Sequence, residues 1–317
     1  MDDMFDPAGA SPNAAFLKDV LHGLAQAQKT LPCQYLYDET GSNLFEQITA
    51  LPEYYPTRTE IAILQREGAA IADQLGAETL LVEYGAGAST KTRILLSALE
   101  RPAGYVPIDV SEDFLLQTAD QLRAEYPDLP IHPIVSDFMA QIELPAGSAG
   151  HPAGFFPGST LGNLSDDEIV LFMRAARSLL GDDGKFLIGI DLRKPASILI
   201  PAYDDATGVT ARFNLNLLHR INRDLDATFD LGAFAHRAIW NDAASRIEMH
   251  LESLSDQTVQ IGGQTIAFKS GETIHTENSR KFSVDALVPL LDQTGWQVQA
   301  QWRDAKDYFA VILLRAR

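Results

Sequence analysis

Between residues 79 and 191 short apolar segments alternate with helical ones, and this alternation constrains the fold of the chain more than any other feature. Residues 79–84 read as a buried strand, 91–99 as a helix, 105–109 as a second strand and 131–135 as a third, with a helix before the third that Ser111 is placed to cap. Phe155-Phe156 ends a fourth strand. Ser165-Asp166-Asp167-Glu168 is the signature of a reciprocally capped helix running to Leu180, and 185–190 form a fifth strand. Five strands with intervening helices predict a parallel α/β sheet that takes its ligands beyond the carboxyl ends of the strands.

The flanks follow other patterns. Residues 1–13 are rich in Asp, Pro, Gly and Ala and predict a flexible tail. Phe16, Val20, Leu21 and Leu24 recur at helical spacing, Gly41-Ser42 opens a second short helix carrying Leu44, Phe45 and Ile48, and a third starts at Thr57. After Asp191 the alternation stops and gives way to a helix at 210–221, paired strands at 234–240 and 245–254, and a hairpin turning at Gly262-Gly263. A helix at 284–291 and two strands at 296–302 and 308–314, close enough to be antiparallel, complete the sheet. These patterns place 14–60 with 192–282 in a substrate-binding lobe, and 61–191 with 283–317 in the sheet domain.

Composition narrows the function. Asp and Glu number 43 against 25 Lys and Arg, a net charge of −18 that repels nucleic-acid backbones and anionic membranes. Cys33, the single cysteine, has no partner for an internal disulfide. With no signal-peptide pattern and no apolar run of spanning length, the expectation is a soluble, cytoplasmic, monomeric protein. The seven histidines have no metal-ligand spacing, so no metal is expected.

Glu83-Tyr84-Gly85-Ala86-Gly87-Ala88-Ser89-Thr90-Lys91 joins the first strand to its helix. Gly85 and Gly87 let the backbone turn sharply against a ligand, the helix start offers free N–H groups, and Lys91 adds a positive charge for a carboxylate. A nicotinamide fingerprint requires a third glycine where Thr90 stands. A phosphate-binding loop also fails at Thr90, although 187–191 imitates its magnesium-holding strand, so nucleotide binding of that type is the runner-up. Asp109, 24 residues after Gly85, is placed to accept both ribose hydroxyls of an adenosine, and Asp137 with Phe138 ends the third strand where an adenine amine would lie. Together they favour S-adenosylmethionine. Gly158-Ser159-Thr160-Leu161-Gly162 has threonine where a hydrolase elbow needs its serine, which excludes that nucleophile.

Longer ordered motifs carry a family resemblance: Tyr37-Asp38-Glu39-Thr40-Gly41-Ser42, Leu51-Pro52-Glu53-Tyr54-Tyr55-Pro56-Thr57-Arg58, Phe156-Pro157-Gly158-Ser159-Thr160-Leu161-Gly162-Asn163, Ala202-Tyr203-Asp204-Asp205 and Thr276-Glu277-Asn278-Ser279. In these the chain resembles the histidine-specific α-N-methyltransferases that open ergothioneine biosynthesis. The resemblance implies a class I methyltransferase (Rossmann-like) sheet with a terminal antiparallel hairpin, a second α+β lobe, and free L-histidine bound between the two. It assigns Tyr54, Asn163 and Tyr203 to the backbone groups of histidine, Glu277 and Ser279 to its imidazole, Gly158 to the substrate site and Met249 to the pocket wall, with Tyr37 and Phe45 shaping the site. Asn163 and Tyr37 are the catalytic candidates, orienting the amine and relaying its protons. The resemblance further implies three successive transfers, ending in hercynine. Another aromatic amino acid is the alternative substrate. Taken one at a time, Tyr54 and Tyr203 read equally well as core tyrosines, Asn163 as a turn residue, 277–279 as a polar loop and Met249 as core filler.

Overall fold

A computed structural model describes residues 12–87 and 89–317 of the chain, which divides into two compact units. One unit comprises Thr49–Leu199, Asn241–Arg246 and Asn278–Arg317. The other comprises the described residues up to Ile48 with Ile200–Trp240 and Ile247–Glu277.

The first unit is built on a sheet of β1 (Thr79–Tyr84), β2 (Gly104–Asp109), β3 (Ile134–Val135), β4 (His151–Phe156), β5 (Lys185–Asp191), β6 (Trp296–Arg303) and β7 (Phe309–Ala316). Their spatial order is β6-β7-β5-β4-β1-β2-β3. Neighbours among β1 to β5 pair in parallel, whereas β7 runs antiparallel to both β5 and β6. This is the class I methyltransferase order. Successive residues of β1 feed opposite faces: Leu81 joins Ile63, Leu64, Leu95 and Phe155, while Leu80, Val82 and Tyr84 join Phe156, Phe172 and Phe186. Both faces are therefore apolar, and helices cover each of them. The chain moves outward from β1 to β3 and then returns to β4 on the other side of β1. That reversal opens a crevice at the carboxyl ends of β1 and β4, the place where doubly wound sheets take ligands.

Several expectations shift in detail. The third strand covers only Ile134–Val135, with an isolated bridge from Ile131 to Tyr105, because Pro133 offers no ladder donor. Ser111 precedes the helix Glu112–Glu125 but makes no side-chain cap. The reciprocal cap at Ser165 and Glu168 is present. The tail reading lies outside the described residues over 1–11, and Pro12 and Asn13 begin the helix Pro12–Leu24. Residues 49–60 belong with the sheet because Tyr55–Leu75 is one continuous helix whose Ile63, Leu64 and Ile71 pack on Leu187 and Val311. Residues 278–282 join it too, since Phe282 bonds Asp191 and Arg193 through the backbone.

In the second unit the helix Val209–Leu225 buries Phe213, Leu217, Leu218 and Ile221. The hairpin of Gln257–Ile261 with Gln264–Phe268 turns at Gly262 and Gly263, both with positive φ, as a two-residue turn requires. Strand Arg246–Ser253 lies between Phe234–Asn241 and Thr273–Arg280. Glu277, Asn278 and Ser279 are thus strand residues and not a loop.

Candidate active site

Gly85 follows β1 with φ +71°, and a Cβ built there meets nothing within 4 Å, so backbone conformation and not crowding calls for glycine. The amides of Gly85 and Ala86 both donate to the Ile108 carbonyl, at 2.9 and 3.2 Å, which ties this turn to the end of β2. Asp109 ends that strand. Burial pushes its carboxyl up, while the Ser111 amide at 2.9 Å and the amides of Gly87 and Val110 pull it back. At the end of β3, Asp137 Oδ1 accepts the Met139 amide at 2.8 Å, and the Phe138 ring packs against Phe156 and Phe172 with centroids 5.2 and 5.6 Å away. Open space above a glycine turn, flanked by two acceptor carboxylates at strand ends, suits an adenosine with its hydroxyls and amine. Gly85, Gly87, Asp109 and Asp137 would hold it there.

Lys91 does not stand alone as a charge for a ligand. Its Nζ lies 2.5 Å from Oε2 of Glu60, which has no exposed surface. The same carboxylate accepts the Gly158 amide at 2.9 and 3.1 Å. Glu60 thereby joins the helix after β1 to the loop after β4, and the reading of the sequence missed it. The available signal was an acid on the apolar face of a helix, next to Ile63 and Leu64. Glu83 is also buried, and its Oε2 accepts both Thr92 Oγ1 and Tyr105 Oη at 2.5 Å. Desolvation nevertheless raises its pKa to about 7.

Asn163 ends the turn Thr160–Asn163. A Cβ on the preceding Gly162 would lie 2.8 Å from the Arg280 carbonyl, so glycine lets the 273–280 strand pass against this turn. Arg280 pairs with Asp166 and lies over the Phe282 ring. Tyr54 and Ser279 are both buried. A charged cluster absent from the sequence reading gathers at the end of β5: Asp191 accepts Tyr55 Oη at 2.7 and 2.9 Å, Lys194 Nζ at 2.5 Å and Lys281 Nζ at 2.7 Å. Burial lowers the Lys194 pKa to about 8 against the opposing pull of Asp191.

In the second unit Tyr37 Oη lies 3.5 Å from Glu277 Oε1, bringing together two predicted residues 240 positions apart. The Tyr37 ring stands edge-on to Phe45 and Phe213. Met249 is buried, as its alternation predicts, and its carbonyl accepts Thr276 Oγ1 at 3.0 Å. The Tyr203 carbonyl lies 2.8 Å from His236 Nε2. Two residues on, Asp205 is an internal cap. Burial pushes its carboxyl up, but hydrogen bonds from Thr207, Thr210 and Val209 hold it well below the usual carboxylate range. Glu248, His250 and His275 also meet, with ligand atoms within 4.8 Å of one another, a grouping the sequence spacing did not reveal. The two imidazoles stack at 4.6 Å with 16° between their planes, so their in-plane lone pairs do not converge on one point.

Over residues 16–316 the sequence matches the family described as histidine-specific methyltransferase, SAM-dependent. It is 42% identical to "Histidine N-alpha-methyltransferase" of Mycobacterium tuberculosis (strain CDC 1551 / Oshkosh), covering 94% of each chain. Against the protein of the same name from Mycolicibacterium smegmatis, identity is 40% over 96% of each. "Ergothioneine biosynthesis protein 1" of Neurospora crassa is 27% identical over 91% of this chain and 33% of its own length. With the sheet order, the glycine turn beside Asp109 and a family match running almost end to end, the chain belongs to the SAM-dependent, histidine-specific methyltransferases.

Proposed function

We propose that the protein transfers methyl groups from S-adenosylmethionine to the α-amino nitrogen of free L-histidine, three times in succession, to give hercynine for ergothioneine biosynthesis. The observation that carries this reading is the open Gly85 turn beside the half-buried Asp109 carboxylate at the crevice of the sheet. S-adenosylmethionine, when bound, supplies a methyl group already activated on a sulfonium. The residues of the chain then have to align the amine with that methyl and take away its proton. Gly85 and Gly87 admit the backbone to close approach, Asp109 accepts ribose hydroxyls, Asp137 meets the adenine amine and Phe138 borders the ring. Lys91 has two N–H bonds beyond the one it gives Glu60, and we assign one of them to the methionyl carboxylate.

For histidine, Tyr54, Asn163 and the Gly158 loop are assigned to the carboxylate and amine, as is Tyr203. Glu277 is assigned to the imidazole N–H, Ser279 to the other ring nitrogen, and Met249 to the wall. Two anchors at opposite ends of the substrate leave the amine able to rotate and present its lone pair again, which accommodates repeated transfer. An α-ammonium has no lone pair, so each transfer follows a deprotonation, with peptide α-amines titrating at about 7.7–8.0 and free amino acids higher. Asn163 orients the nitrogen, and Tyr37 is assigned to the proton relay.

No described helix is long and apolar enough to cross a membrane. We place the protein in the cytoplasm as a monomer acting on a free amino acid, without nucleic acid. Mass spectrometry of the purified protein incubated with S-adenosylmethionine and a mixture of amino acids tests the reading. Trimethylated histidine is expected, and methylation of a different amino acid instead would reject the substrate.

A further inference from the structure

Two buried lysines share one carboxylate within the sheet unit. Asp191 already has Tyr55 Oη at 2.7 Å and Lys194 Nζ at 2.5 Å, yet Lys281, with no exposed surface, adds a third donor at 2.7 Å. A second buried ammonium is costly to desolvate, and pairing Asp191 does not require it. Lys281 does one thing that Lys194 does not: its Nζ lies 2.8 Å from Ser279 Oγ. Its backbone is held on both sides, the amide donating to the Ser245 carbonyl at 2.7 Å and its carbonyl accepting Ser245 Oγ at 2.8 Å. The next residue, Phe282, donates to the Asp191 carbonyl at 2.8 Å. The ammonium is therefore delivered to Ser279 by a rigid frame.

We propose that Lys281 is a positioning residue that makes Ser279 a hydrogen-bond donor to substrate, so that the site selects the neutral imidazole and takes the ring nitrogen that carries no proton. An ammonium has three N–H groups and no lone pair, so Ser279 Oγ accepts from it and the serine proton is directed to an acceptor. A ring nitrogen can accept that proton only with its lone pair, and an imidazolium has none. Among the described residues, the charged and titratable groups around Lys281 include Asp191, Lys194 and, through Asp191, the Tyr55 hydroxyl, while Glu277 is the carboxylate assigned to the imidazole from the other side. Lys194 in turn lies over the Tyr55 and Tyr308 rings and feels Asp304. Arg280, the intervening residue, is engaged by Asp166. The inference rests on the reading of Ser279 as an imidazole contact, and it adds which protonation state is bound and which residue enforces it.

Calorimetric titration of the unaltered protein with histidine, in the presence of S-adenosylhomocysteine and from pH 5 to 8, tests it first. The dissociation constant is expected to rise about tenfold per pH unit below the imidazole value of about 6.5. An affinity that is flat or improves as the ring protonates overturns the proposal. The second test compares Lys281→Met, Ser279→Ala and the double variant. Each single change should raise KM for histidine more than it lowers kcat, with non-additive effects, and Lys281→Met should flatten the pH dependence because the hydroxyl is released to turn and accept. Additive effects with an unchanged pH profile overturn it. If circular dichroism shows that Lys281→Met does not fold, the pH profile of the unaltered protein decides. Failure of that protein to methylate histidine at all would reject the substrate reading itself, before any variant is made.

Discussion

Lys91 Nζ lies 2.5 Å from Glu60 Oε2, and the two residues join the helix after β1 to a long helix that starts before the sheet. Glu60 has room because β5 carries glycine at 189, where a Cβ would lie 2.0 Å from Glu60 Oε1. Glu60→Ala leaves the Gly158 amide and Lys91 without this acceptor. Lys91 is 17% exposed and reaches water, so the expected loss is at the lower end for a broken buried pair, about 3 kcal/mol. Gly189→Ala should also destabilise, and the double variant should lose less than the sum, since removing Glu60 removes the clash. Urea unfolding measures all three, and a strictly additive double variant would refute the contact.

Asp109→Ala should weaken binding of S-adenosylhomocysteine on the order of a hundredfold or more, because charge-assisted hydrogen bonds contribute about 1.5–3 kcal/mol each. Calorimetry on the variant, with its unfolding midpoint measured alongside, separates the two roles of the carboxylate. Unchanged affinity in a folded variant would remove Asp109 from the site.

Glu83 predicts a pH dependence of stability. Its folded pKa of about 7 lies above the ordinary 4.5, so between these values the folded chain holds a proton that the unfolded chain has released. Stability from the neutral acid is complete below about 4.5 and is lost as pH rises through about 7. The difference corresponds to about 3 kcal/mol. Glu83→Gln should abolish this component, measured as the change in unfolding free energy between pH 5 and 8. An identical pH slope in the variant would contradict the assignment.

Glu277→Ala should raise KM for histidine and relax selectivity, because a substrate lacking a ring N–H would no longer leave a carboxylate unpaired. A site that hydrogen-bonds such a group can discriminate by about 10⁴-fold. Adding Met249→Val should favour the larger indole further. The readout is the ratio of kcat/KM for histidine to that for phenylalanine, which has no ring N–H, with tryptophan reporting the widened pocket. A ratio unmoved by Glu277→Ala in a folded protein would take the imidazole away from this residue.

The sheet was legible because its signals are local. Each strand of 79–191 is a short apolar run bounded by turn residues, the cap at Ser165 and Glu168 lies within one turn, and Gly85 and Gly87 announce positive φ by residue type. Pro133 shortened a strand whose apolar pattern promised more. The helix Ala196–Tyr203 escaped notice because its residues are almost uniformly apolar and show no amphipathic period, and Pro201 sits inside it.

Sequence alone thus determined the order of strands in the sheet unit, the glycine turn and the acids at strand ends, since all of these depend on residues near one another along the chain. Tertiary structure decided the pairing of charges. Glu60 with Lys91 and Gly158, Asp191 with Tyr55 and Lys281, and Tyr37 with Glu277 are contacts between residues far apart in the chain. A lone acid or lysine in the sequence shows only that a charge exists. Whether it is solvated, buried against a partner or held toward a ligand depends on which backbone packs beside it, and no local pattern encodes that.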